Sequence, residues 1–155
     1  MFIPEEEYKR IIKSFPVFCV DFLIKCQDKY LLIKRTDEPV KGIYWVIGGR
    51  MYFKETLQEL AKRVQMREIG RYIPDFKLIG FSNYFFPNVP DERATHTPTM
   101  LYLVEVDEMF TPQLDDTHSD FIWTDELPEE LKKQTDFIFD YEQLHLGREV
   151  SSKDD

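Results

Sequence analysis

Apolar and polar positions change period several times along the chain, and each change marks an element. Leu57, Leu60, Ala61 and Val64 recur at i, i+3, i+4 and i+7. That spacing makes one helical stripe and predicts a helix over Lys54–Ile69 that Gly70 terminates. Val17–Cys26 is rich in β-branched and aromatic residues and predicts a strand. The turn Gln27-Asp28-Lys29 and the run Tyr30–Arg35 extend it into a hairpin. Pro4 followed by Glu5, Glu6 and Glu7 opens a short N-terminal helix, because acidic residues favour the positive end of the helix dipole. It should run to about Lys13 and stop before Pro16.

Further along, Thr36–Gly42 reads as a loop and Tyr44–Ile47 as a short strand ahead of a Gly48-Gly49 turn. Strands are predicted at Phe76–Phe86, Thr99–Val106 and Phe121–Trp123. Between the first two of these lies the polar, proline-containing stretch Pro87–Pro98, whose length suits a lid over a site. Thr124 or Asp125 is placed to cap a short helix reaching Lys133, and Asp136 a last helix, Phe137–Leu146, ended by Gly147. Residues 1–150 are expected to form a single domain, with 151–155 a disordered tail. Strands and one central helix alternate without a regular βαβ rhythm, which predicts an α/β (α+β) fold with a mixed sheet packed between helices.

Composition narrows the function classes. The 155 residues carry a formal net charge of −9, so a broad nucleic-acid surface is not expected. With 43% hydrophobic and 15% aromatic residues the chain fills one core and is not disordered throughout. No run of apolar residues is long enough to span a membrane. The acidic start MFIPEEEYKR lacks the apolar region of a secretory signal. Cys19 and Cys26 lie seven apart in a strand-like stretch, an odd separation that points them to opposite faces. A bridge between them is not expected, and a cytoplasmic location follows as the default. Any anionic ligand must therefore be held by a few local cations or by a metal.

Gly48-Gly49-Arg50 between a strand and a helix is weak evidence alone, since a tight turn would account for it. The spacing beyond it is more specific: Gly49, five residues, Glu55, seven residues, Arg63, then Glu68, one residue, Gly70. This pattern resembles the Nudix box, and the resemblance implies a Nudix-like α/β/α sandwich. Two glutamates of the family's box are replaced here, by Val64 and Arg67. The GDP-mannose mannosyl hydrolase subgroup lacks the same glutamates, and the chain is similar to it beyond the box. The shared positions include Ser14-Phe15-Pro16, Asp21-Phe22, Leu31-Leu32-x-Lys34-Arg35-Thr36, Pro39-x-x-Gly42, Glu55-Thr56-Leu57 and His118-x-Asp120 before Trp123. The resemblance runs from residue 1 to roughly residue 125.

The resemblance implies hydrolysis of a GDP-sugar by water attacking sugar C1 with inversion, assisted by one Mg²⁺ in a homodimer. It implies His118 as general base and Asp21 near the sugar, with Arg35 and Arg50 on the leaving diphosphate. It implies further substrate contacts from Phe2, Ile3 and Tyr8, across a dimer, and from Arg63 and Tyr102. Its metal ligands fall on Gly48 and Glu68, with Thr117 where the subgroup has a side-chain amide. Plainer readings stand beside these. His118 could be a surface-loop histidine, Asp21 a solvent-facing edge residue, Tyr102 a core residue and Phe2, Ile3 and Tyr8 simple packing. Arg63 could pair with Glu59 one helical turn away. Arg67 points either into the site, where it would repel Mg²⁺, or away from it, because helical neighbours stand ~100° apart. Erosion of the metal site leaves two alternatives open: a non-catalytic nucleotide-sugar binding module, and a pyrophosphohydrolase of another nucleoside diphosphate derivative.

Overall fold

Alternation along β1 (Cys19–Cys26) divides the molecule into two layers. Val20, Phe22 and Ile24 enter one core, and Leu23 enters the other. The computed structural model describes residues 3–38, 40–85, 96–129, 131 and 137–138. β1 lies inside an eight-stranded mixed sheet. One of its edges pairs in parallel with β6 (His96–Glu105), from Cys19 opposite Thr99 to Lys25 opposite Glu105. Its other edge is shared by two antiparallel strands. β4 (Ile47–Arg50) takes Cys19 to Phe22, and β2 (Lys29–Arg35) takes Ile24 to Cys26. The two part from one another along β1, and β3 (Tyr44–Trp45) crosses between them on the edge of β2. β7 (His118–Thr124) also pairs with β2. β5 (Lys77–Phe85) pairs with β6, and β8 (Phe137–Ile138) with β5.

α2 (Leu57–Ile69) covers one face of the sheet with Leu60, Ala61, Val64 and Ile69, all fully or nearly fully buried. Under it Phe76 meets both Phe22 and Tyr102 edge-on, with ring centroids 5.5 and 5.4 Å away. Thr56 caps α2: its hydroxyl accepts from the Glu59 amide, while the Glu59 carboxylate accepts from the Thr56 amide at 2.8 Å. This reciprocal pair satisfies amides that the first turn would otherwise leave unbonded. Thr56 is exposed, so Thr56→Ala should act through the cap alone. It is expected to lower the free energy of unfolding by about 0.5–2 kcal/mol, read by chemical denaturation at constant slope. Gly70 closes the helix in the left-handed region at φ 69°.

Several sequence expectations shift at their edges. α2 starts at Leu57 rather than Lys54, because Lys54 sits at φ 63° and Thr56 takes the cap. Gly48 and Gly49 belong to strand β4 and pair with Asp21 and Val20. His96, Thr97 and Pro98, expected in the loop, extend β6 opposite β5. Pro98 is tolerated there because the ladder with β1 begins only at Thr99. The first two residues of the expected last helix, Phe137 and Ile138, are strand. The rest of that helix, most of the Pro87–Pro98 loop and the 151–155 tail lie outside the described residues. α1 (Glu5–Ser14) lies where the acidic first turn places it. Cys19 and Cys26 are both free thiols. Among the described residues no helix is long and apolar enough to cross a membrane.

Candidate functional site

Where β2 and β4 part, a cleft of about 400 Å³ opens beside the first residues of β1. Asp21, Arg35, Gly48, Arg50, Arg63 and Glu68 all line it, as do Tyr8 and Thr117. Asp21 opposes Gly48 across the β1–β4 ladder, and the carboxylate packs directly on that glycine. A Cβ at position 48 would overlap Asp21 Oδ1 and lie 2.9 Å from the Val20 carbonyl oxygen, so only glycine fits. Asp21 is 7% exposed. Burial pushes its carboxyl up to about 7, the Glu68 charge adds to the rise, and Arg35 opposes it.

The arginines arrive from three elements. A register shift between Lys34 and Arg35 interrupts the alternation of β2, and Arg35 beyond it lines the cleft. Its Nε is buried with no hydrogen-bond partner among the described residues. Arg50, at the end of β4, lies 4.6 Å from the ring centre of Tyr8 and 5.6 Å from that of Tyr52. Those rings fix the guanidinium without neutralising it. Arg63 of α2 differs. Its Nε and Nη2 donate to the two oxygens of Glu55 at 2.6 and 2.8 Å, and Nη2 also donates to the Arg50 carbonyl at 2.9 Å. It stacks on Tyr52 at 3.9 Å. Its charge is therefore spent on Glu55, eight residues back in the loop, and not on Glu59, which is held in the helix cap. Arg63 braces the loop and Arg50 beside the cleft.

A polar network forms one wall of the cleft. Glu68 is 2% exposed, and its Oε2 accepts from the Gly48 amide at 3.2 Å. Burial raises its carboxyl, opposed by Arg67, His118 and the Gly48 amide. Arg67 points inward: Nη2 donates to Glu68 Oε1 and lies 3.5 Å from the Gly48 carbonyl oxygen, while Nε is 3.6 Å from Asp115 Oδ2. Asp115 Oδ1 also accepts from the Thr117 hydroxyl at 2.7 Å and faces His118 Nδ1 at 2.7 Å. Burial would raise Asp115, but the bonds from Thr117 and His118 outweigh it and hold the carboxyl below the usual range.

Of the sequence-derived positions among the described residues, eight thus meet in one cleft, and His118, Tyr102 and Ile3 do not line it. The His118 side chain is 2% exposed, lies on strand β7 rather than a surface loop, and turns Nε2 towards Glu68 Oε2 at 4.0 Å. It packs behind Glu68 and Asp115 instead of lining the cleft itself. Tyr102 is a core residue, 8% exposed between Phe22 and Phe76, with its hydroxyl against Met100 Sδ at 3.8 Å. Ile3 is 40% exposed and does not line the cleft, and Phe2 lies outside the described residues. Tyr8 reaches the cleft of its own chain. The residues that sequence reasoning missed are Glu55, Asp115 and Tyr52, the partners that aim Arg63, Arg67, His118 and Arg50. Glu55 stands in the box spacing without a role assigned to it there, and Asp115 and Tyr52 carry no comparable signal.

The oxygens that the resemblance assigns to Mg²⁺ do not suit it. Mg²⁺ asks for near-octahedral oxygen ligands in open positions. Here Glu68 is bonded by Arg67 and by the Gly48 amide, the Thr117 hydroxyl donates to Asp115, and the Arg67 guanidinium stands against the Gly48 carbonyl. Among the described residues no group of three or more His, Cys, Asp or Glu is arranged to hold a metal ion.

Comparison with known proteins agrees with the architecture. No family model matches the chain. A MutT NUDIX hydrolase of Burkholderia pseudomallei superposes with a TM-score of 0.62 at 22% identity, over 74% of this chain and 88% of that one. The mixed sheet with its helices is thus the Nudix fold. Among curated proteins, a low-salt glycan biosynthesis protein, Agl8, of Haloferax volcanii is 31% identical over 84 residues, 54% of either chain. An ADP-ribose pyrophosphatase of Methanocaldococcus jannaschii is 34% identical over 104 residues, 63% of this chain and 59% of its own. The matched stretches span little more than half the length of these relatives.

Proposed function

We propose that the cleft binds a nucleoside diphosphate sugar and hydrolyses it, with a GDP-hexose such as GDP-mannose as substrate. The observation that carries this reading is the pair Arg35 and Arg50. In a chain of net charge −9, two guanidinium groups with no carboxylate bonded to them among the described residues line one cleft, and the Nε of Arg35 is buried and unbonded. A diphosphate supplies the missing acceptors and the matching charge. Tyr8 and Tyr52 line the same cleft and hold Arg50 in place for such a ligand. The names of the two curated relatives, one an ADP-ribose pyrophosphatase and one a glycan biosynthesis protein, support a sugar linked to a nucleotide.

In this reading Asp21, the buried carboxyl facing the cleft, orients water and takes its proton as the water oxygen bonds to sugar C1. The C1–O bond breaks, and its electron pair leaves on the β-phosphate oxygen of the departing nucleoside diphosphate. Arg35 and Arg50 stabilise the charge that develops there. Cys19 also lines the cleft, but burial pushes its thiol up to about 12, so it is no nucleophile near neutral pH. His118 holds Asp115 and faces Glu68, a positioning role in place of the base that the resemblance assigns to it.

Hydrolysis of GDP-mannose in ¹⁸O-labelled water tests the reaction. The label should appear in free mannose, with GDP as the other product. Label in GMP or mannose 1-phosphate would instead establish attack on phosphorus, the reading favoured by the similarity to an ADP-ribose pyrophosphatase. A homodimer and a cytoplasmic setting belong to this proposal and are checked by sedimentation and by fractionation of the native host.

A further inference from the structure

We infer that Arg67 is the resident cation of the site, standing where the fold's divalent metal would, so that the cleft engages its diphosphate without a metal ion. The geometry is specific. Among the described residues Arg67 is the one side chain that reaches both oxygen-bearing groups assigned to the metal by resemblance, the Glu68 carboxylate and the Gly48 carbonyl. Its Nε is anchored a second time by Asp115. A buried carboxylate such as Glu68 needs a counter-charge, and here a covalently tethered guanidinium supplies it. The same side chain remains 44% exposed and lines the cleft, so part of its donor fork is free to face an anion. Arg35, Arg50 and Arg67 then surround a diphosphate as three cations, none of which can dissociate from the protein.

The position also excludes a metal. Mg²⁺ or Mn²⁺ bound to Glu68 and Gly48 would have to displace the guanidinium from Glu68 or share the carboxylate with a second positive charge. Substituting glutamate at position 67 would reverse this, adding an oxygen ligand where the cation stood.

Titration of Mn²⁺ into the full chain, without substrate, tests the inference by the electron paramagnetic resonance of the free ion. Wild-type protein is expected to bind no ion tighter than about 1 mM. Arg67→Glu should bind one Mn²⁺ at least about tenfold tighter, and neutral Arg67→Gln should fall between. Micromolar binding of one ion by the wild type, unimproved in Arg67→Glu, overturns the proposal. If the variants do not fold, the wild type decides alone. Broadening of the Gly48 and Gly49 amide signals by micromolar Mn²⁺ would overturn the inference, and unchanged signals support it. Because no substrate is present, this outcome is independent of whether GDP-mannose is the ligand.

Discussion

Replacing Asp21 with asparagine is expected to lower the turnover of GDP-mannose by about 10²–10⁴-fold while making the protein more stable above pH 7. Both effects come from one placement. Asp21 lies in an apolar run of β1, 7% exposed, with its carboxylate packed on Gly48. Burial first, and then the nearby Glu68, raise it from 3.8 to about 7. Between these two values the native chain keeps a proton that the unfolded chain has lost. The unfolded state thus binds fewer protons, and stability falls as pH rises through that window. A displacement of about three units amounts to about 4 kcal/mol at pH 8. The Asp21→Asn variant carries no such slope. Its thermal midpoint should exceed that of the wild type at pH 8 and converge with it near pH 4. Wild-type kcat/KM should rise with pH through about 7 as the base ionises. Equal midpoints at pH 8, or full turnover by Asp21→Asn, would remove Asp21 from its role.

Arg35→Ala should lower kcat/KM for GDP-mannose by about 10²–10³-fold, the loss typical of one preorganised donor to developing negative charge. Its fold should survive. The Arg35 Nε is buried without a partner among the described residues, so truncation removes an unsatisfied donor instead of breaking a bonded pair. A thermal midpoint unchanged or raised, together with the kinetic loss, is the expected signature. Arg63→Ala offers the contrast. It breaks the two-pronged bond to Glu55 and the contact with Tyr52, and its effect should reach activity through the loop that holds Arg50.

The layers of the fold were readable because period encodes face. Alternation in β1 separates Val20, Phe22 and Ile24 from Asp21, and the helical stripe Leu57, Leu60, Ala61 and Val64 identifies the covering helix. Arg50 and Glu68 were also legible around the Gly48-Gly49 spacing, whereas Asp21 and Arg35, which line the same cleft, were implied only by the resemblance beyond the box. What remained hidden depends on contacts between distant segments. Whether Arg67 turns inward is set by Asp115, forty-eight positions along the chain, as much as by its helix. His118 reads as a loop residue until pairing of β7 with β2 buries it opposite Arg35. Tyr102 could serve a site or a core, and only the neighbouring rings of Phe22 and Phe76 decide it. Arg63 has a local candidate in Glu59, yet the helix cap occupies that carboxylate and the loop's Glu55 takes its place.

Calorimetric titration of the wild-type chain with GDP, the product of the proposed reaction, run beside the double variant Arg35→Ala/Arg50→Ala in a metal chelator, probes recognition of a nucleoside diphosphate by this cleft. One saturable binding event per chain, lost in the double variant, is the predicted result. Absence of binding to the wild type, or an isotherm that the two substitutions leave unchanged, would contradict it.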